Sequence, residues 1–224
     1  MKKKSLNDRL AEREKPRNAP IPRDNDRELE RHSAAFRRHF KDYVEFVELD
    51  EDGHTHLRRV YQGLWHIPAL SRAERLREKL LLALLFAAGL VLFLFAALRA
   101  VPANRTWFLA VAHFAVLAAA AYTLTGLYNH LTAGEKLTTA DYGSGPRRVR
   151  IGALGMAGLL ALCALLYLLC AFLYRPFVLP HLLCAALSLA AALALLAAWY
   201  LEGRVSYTTE RSTEPVPDDA IRIE

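Results

Sequence analysis

An all-α membrane protein of four transmembrane helices, arranged as two similar hairpins and preceded by a small cytoplasmic amphipathic helix plus β-hairpin, is the fold class this sequence predicts. The first observation behind it is a set of four uninterrupted apolar runs: Leu80 to Leu98, Trp107 to Leu127, Ile151 to Leu173 and Phe177 to Leu201. Each is long enough to cross a hydrocarbon core of roughly 30 Å as a helix, which takes about 20 residues. The second is that none of the runs holds a Lys, Arg, Asp or Glu. The third is the placing of the basic residues. Arg72, Arg75, Arg77 and Lys79 precede the first run, and Lys136, Arg147, Arg148 and Arg150 lie between the second and third, whereas the other connections hold only Arg99, Arg105 and Arg175. The positive-inside rule then puts both termini and the central loop in the cytoplasm, most simply at the plasma (inner) membrane.

Taken in order, residues 1–25 mix charges, Asn and Pro with too few apolar side chains to offset the entropy of ordering, and read as a disordered leader. Met1 to Lys4 is followed by polar sequence and not by the apolar core of a secretory signal, so insertion is expected to rely on the first membrane helix. Over residues 26–70 a cytoplasmic module of helix plus hairpin is expected. Leu29, Phe36, Phe40 and Tyr43 recur at helical spacing from about Asp26. Tyr43 to Leu49 is rich in aromatic and β-branched residues, Asp50 to Gly53 supplies a turn, and His54 to Tyr61 returns as a second strand. A lone hairpin is marginal in water, so this one needs the amphipathic helix, the bundle or another copy as a partner. Gly63, Trp65, His66 and Pro68 interrupt the strand pattern, and Trp65 is placed at the membrane interface as an aromatic anchor. Residues 71–204 form the bundle and 205–224 a cytoplasmic tail. Ser71 with Glu74 has the spacing of a capping box, with no Gly or Pro from Arg72 into Leu80, so the first helix is expected to begin there as one rod. Ser144 and Pro146 mark the start of the third helix.

The two halves resemble each other at an offset of about 70 residues. Tyr128, Lys136-Leu137 and Thr138-Thr139 answer to Tyr200, Val205-Ser206-Tyr207 and Thr208-Thr209. Such halves would be a parallel repeat about an axis along the membrane normal.

Composition excludes several function classes. Residues 1–79 carry a charge of +4 and the rest +2 of the +6 total, and acids interleave with bases throughout, an arrangement unsuited to nucleic acid. Enzyme signatures are missing: there is no Gly-x-Ser-x-Gly turn, no His-Glu-x-x-His pattern and no phosphate loop, so no catalytic residue and no cofactor is expected. Asp141, Tyr142 and Glu202 read as helix-end contacts. His54 and His56 share a strand face, a spacing two metal ligands can use, but no third ligand follows from spacing and no metal site is expected. Cys163, Cys170 and Cys184 lie within apolar runs and behave as small apolar residues; there is no CxxC pair.

His113 is the one ionisable side chain well inside the second run, and it is expected to bond a neighbouring helix rather than to serve transport. His181 is placed at the interface. Gly152, Gly155, Gly158 and Ala153, Ala157, Ala161 form a small-residue stripe on the third helix, read as packing within one chain ahead of an oligomer interface. The first helix, richest in Leu and Phe, is expected to face lipid or a partner. The preferred function is a non-enzymatic scaffold or accessory subunit that docks a protein partner at its cytoplasmic face through Tyr43, Phe46, Tyr61 and Trp65. A small oligomeric transporter or channel for an apolar or weakly polar solute, lined by Ala, Gly and His113, is the alternative. The bilayer and either a second protein or a second copy are the expected partners.

Overall fold

The structure, a computed structural model, describes residue 40 and residues 42–49, 55–174, 178–216 and 221–222. The expected leader, the amphipathic helix before Phe40, the turn at Asp50 to Gly53 and His54 lie outside the described residues. In chain order the elements are β1 (Tyr43–Leu49), β2 (Thr55–Tyr61), β3 (Leu64–Pro68), α1 (Arg72–Ala97), a short 3-10 turn (Pro102–Arg105), α2 (Trp107–Thr132), α3 (Thr139–Ser144), α4 (Pro146–Leu173), α5 (Val178–Gly203), β4 (Tyr207–Arg211) and β5 (Ile221–Arg222). The chain divides into two compact units, one spanning Gly63–Ser212 and the other drawn from Met1–Gln62 and Thr213–Glu224.

The smaller unit is built on the expected hairpin. β1 and β2 pair antiparallel with Tyr43 opposite Tyr61 and Leu49 opposite Thr55. Val44 and Val60 face each other across the ladder, and both are buried. The third strand comes from the far end of the chain: β5 pairs antiparallel with the other edge of β1, giving the order β2-β1-β5. Part of the expected tail is therefore sheet, and it supplies one of the strands the hairpin needs to hold together.

In the larger unit, α1, α2, α4 and α5 are each long and apolar enough to cross a membrane. At 1.5 Å per residue their 26 to 28 residues span about 40 Å, some 10 Å more than a hydrocarbon core, so each has room for polar residues at an end. Ser71 and Glu74 complete the capping box at the start of α1. Ser71 accepts from the Glu74 amide at 3.3 Å, and its own amide donates to Glu74 Oε2 at 2.9 Å. Pro146 occupies the first turn of α4 as expected. Directly before it lies a helix the sequence reading missed, α3, started by a second capping box between Thr138 and Asp141.

Neighbours in the bundle are not neighbours in sequence throughout. α4 packs on α5 and α2, and α5 also packs on α1, whereas α1 and α2 meet along little of their length. The two hairpins thus differ in how their helices pair. Close approach occurs where side chains are smallest. A Cβ on Gly89 of α1 would stand 3.3 Å from Leu195 of α5, and one on Gly152 of α4 would stand 2.2 Å from Thr123 Oγ1 of α2. Ala153 and Ala157 are buried beside Gly152, whereas Ala161 is only half-buried. Gly155 and Gly158 do not share this role, because a Cβ at either would meet nothing within 4 Å. Leu84, Phe95, Phe114, Leu165 and Phe172 point outward and are well exposed. Small residues at the closest helix contacts and large apolar ones on the outer surface suit a lipid surround.

The two ends of the bundle are finished differently. At one, Asn104 Nδ2 lies 2.8 to 3.1 Å from the carbonyls of Ala96, Ala97 and Arg99, satisfying the acceptors that α1 leaves open. At the other, β3 pairs with β4, Leu64 opposite Arg211 and Pro68 opposite Tyr207. The stretch read as a break in the strand pattern is thus itself a strand.

Candidate functional site

Each long helix brings ionisable side chains to the end of the bundle where β3 and β4 lie, among them Glu78 of α1, His130 of α2, Arg150 of α4 and Glu202 of α5. Glu78 stands in the second turn of α1, on a helix whose start is set by the Ser71 cap. Arg75 and Lys79, four positions apart on one face of α1, hold the end of α2. Lys79 Nζ donates to the carbonyls of Leu131 and Ala133, both at 3.0 Å, and Arg75 donates to that of Gly134. Cations at a helix C-terminus meet both its unpaired carbonyls and its dipole. This clamp brings the last turn of α2, with His130, against α1. On the other side Gly145 lets the chain pass close by: a Cβ there would stand 3.2 Å from the His130 amide nitrogen.

His130 Nε2 lies 3.3 Å from Glu78 Oε2 and 3.8 Å from Glu202 Oε2. One donor atom from each of the three residues falls within 4.8 Å of the others. His130 and Glu202 are 2% and 4% exposed. Tyr207, the first residue of β4, donates its hydroxyl to Glu202 Oε1 at 2.9 Å. Burial, reinforced by the neighbouring Glu202 carboxylate, holds that phenol protonated far above its ordinary range. Three buried atoms of the cluster have no hydrogen-bond partner: Glu78 Oε1, His130 Nδ1 and Glu202 Oε2.

Arg150 carries the nearest guanidinium on α4, but it is exposed and lies over the Trp199 ring, 5.7 Å from its centroid. Among the described residues neither carboxylate has an Arg or Lys ion-pair partner. Above the cluster, His66 of β3 stacks on Tyr142 of α3 with ring centroids 4.5 Å apart, and Tyr142 meets Tyr207 edge-on at 4.9 Å. Burial lowers the pKa of His66, favouring its neutral form. β3 is held on both edges, since its His66 also bridges to Leu137, with amide to carbonyl distances of 2.8 and 3.0 Å. The arrangement presents two carboxyl groups and an imidazole, with the Tyr207 phenol bonded to one of the carboxyls.

No family model, curated protein or solved structure matches this chain. Its site is accordingly read from its own residues.

The residues singled out from the sequence fall elsewhere. His113 lies toward the other end, its Nε2 3.3 Å from the Tyr167 hydroxyl of α4 and its ring edge-on to Phe93 of α1. Tyr167 in turn donates to Asn104 Oδ1 at 2.6 Å. His181, in the first turn of α5, is fully buried and its ring stacks on Tyr174. Cys163, Cys170 and Cys184 are buried and unbridged. Tyr43, Phe46 and Tyr61 belong to the smaller unit and Trp65 to the larger. Phe46 and Tyr61 are 9% and 4% exposed and lie on opposite faces of their sheet. His56 is exposed on β2.

Glu78 and His130 went unmarked because both stand just outside the apolar runs, where polar residues are routine. A signal was available. The 72-residue offset that matches Tyr128 with Tyr200 also matches Glu78 with Arg150 and His130 with Glu202. The offset relates these ionisable residues as two pairs, each residue near the end of its helix.

Proposed function

We propose that this chain is a non-enzymatic scaffold or accessory subunit of the plasma membrane, with both termini cytoplasmic, whose bundle anchors the smaller β unit for a protein partner. The observation that carries the reading is the way the chain leaves the bundle. Gly63 precedes β3 and Ser212 follows β4, and the Ser212 amide donates to the Gly63 carbonyl at 3.1 Å. Both covalent links to the smaller unit therefore start side by side from a two-stranded sheet that is fixed to α1 and α5. A double tether limits the excursion and rotation of what it holds, which is the property required of a presenting platform. The Lys and Arg of the β3 and β4 end give the orientation. With Phe46 and Tyr61 largely covered, the docking surface is proposed on β2, an edge strand among the described residues whose Leu57 is 56% exposed.

A photo-crosslinking amino acid at Leu57, activated in native membranes, tests this. One discrete heavier species containing a second protein supports the proposal. Crosslinks to nothing, with the same residue at Phe114 in the bundle capturing lipid as a positive control, would remove it.

A further inference from the structure

We propose that Glu78, His130 and Glu202 form a divalent-cation site of the zinc class, tying α1, α2 and α5 together beneath β3 and β4. The donor set is one imidazole nitrogen and two carboxylates, which suits zinc and its first-row neighbours better than magnesium. Spacing agrees. With metal–ligand bonds of about 2.0 to 2.1 Å, a tetrahedral centre separates its ligands by about 3.4 Å, and His130 Nε2 lies 3.3 and 3.8 Å from the two carboxylate oxygens.

The second observation is independent of the spacing. Glu202 Oε2, on a side chain only 3% exposed, faces His130 without a hydrogen-bond partner, and Glu78 Oε1 is likewise unsatisfied. Two carboxyl groups buried near each other, each with one oxygen unsatisfied, are costly to hold ionised, and a divalent cation offsets that cost. The surrounding cations are engaged elsewhere. Arg75 and Lys79 bond carbonyls at the end of α2, and Arg150 covers Trp199. Glu202 is held in orientation by Tyr207, as ligating carboxylates are by outer hydrogen bonds. A surface groove lined by Tyr142, Arg147, Trp199 and Tyr207 reaches Glu202 and gives an ion and a water ligand their access.

The test uses the full chain in lipid nanodiscs, stripped with chelator and titrated with Co2+ and then Zn2+. The expected result is about one Co2+ per chain, with visible absorption from nitrogen and oxygen ligands that Zn2+ displaces, and a chelator-reversible rise in the thermal midpoint. Glu202→Gln and His130→Gln are each expected to weaken binding by about tenfold or more, and Tyr207→Phe by less. Absence of saturable Co2+ binding to the wild-type chain overturns the site, whatever the variants do. Binding retained unchanged in the Glu202→Gln and His130→Gln proteins overturns it too, since the ion would then sit elsewhere. The scaffold reading is unaffected by either result, because its crosslink is read at Leu57.

Discussion

Replacing Gly152 by Ala should force α2 and α4 apart, and the cost can be worked from the contacts. The new Cβ would stand 2.2 Å from Thr123 Oγ1 and 2.9 Å from both Thr123 Cβ and Cγ2. Rotation of Thr123 cannot relieve all three, because its Cβ is fixed to the backbone of α2. Reaching an ordinary carbon separation of about 3.8 Å requires the helices to part by close to 1 Å at this level. Such overpacking costs about 1 to 3 kcal/mol, and it also disturbs the bond from Thr123 Oγ1 to the Ala119 carbonyl at 2.6 Å. For a unit of this size, that is a fall of roughly 2 to 12 °C in thermal midpoint. The assay is thermal unfolding of the purified chain in mild detergent, with Gly155→Ala and Gly158→Ala as controls. Both controls add a methyl where nothing lies within 4 Å and should leave the midpoint unchanged or slightly raised. Adding Thr123→Ala to Gly152→Ala removes two of the three clashing atoms and should recover part of the loss. A Gly152→Ala protein as stable as wild type, or three alanine variants that behave alike, would refute the packing of α2 on α4 at this glycine.

Other expectations follow from single side chains. Asn104→Ala removes the amide facing three carbonyls at the end of α1 and the acceptor of the Tyr167 hydroxyl, and should cost about 1 to 3 kcal/mol in denaturant unfolding. Ser71→Ala removes the capping box of α1 and should cost about 0.5 to 2 kcal/mol, with helicity loss by circular dichroism confined to a small amplitude. Because burial depresses the pKa of His66, the unfolded chain takes up the proton first. Stability supplied by neutral His66 is therefore present above pH 6.5 and lost as pH falls through and below that value. The thermal midpoint should drop between pH 7.5 and about 5.5, and by less in the His66→Gln protein, as a parallel pH series would read.

How far the fold could be read in advance depended on whether the interactions were local. The apolar runs, the Ser71 cap, Pro146 and the register of β1 on β2 are written in contiguous residues, and all appear in the structure. β3 could not be read this way. Trp65, His66 and Pro68 look like a broken strand until they are set against Tyr207 to Arg211, more than a hundred residues later, and no periodicity announces such a pairing. β5, two residues long, carries even less signal. The Thr138 and Asp141 capping box was legible and was passed over beside the more conspicuous Pro146. The cluster failed for a different reason. Glu78, His130 and Glu202 come from three helices, and each is ordinary in its own neighbourhood; only the packing of the helix ends makes them unusual. Phe46 and Tyr61 are a related case, since sequence pattern marks them as aromatic strand residues but carries no sign of how little of each is exposed.

The smaller sheet takes β1 and β2 from before the bundle and β5 from after it, so the whole of Gly63–Ser212 is an insertion within that sheet. During synthesis about 160 residues must be made between Tyr61 and Ile221, which takes roughly 8 to 30 s at ribosomal rates. For all of that time the described part of the sheet is a bare hairpin, marginal on its own. It can close only after the last long helix has been made. Completion of this small sheet therefore waits on the synthesis of all four long helices, and until β5 arrives one edge of β1 stays unpaired by it.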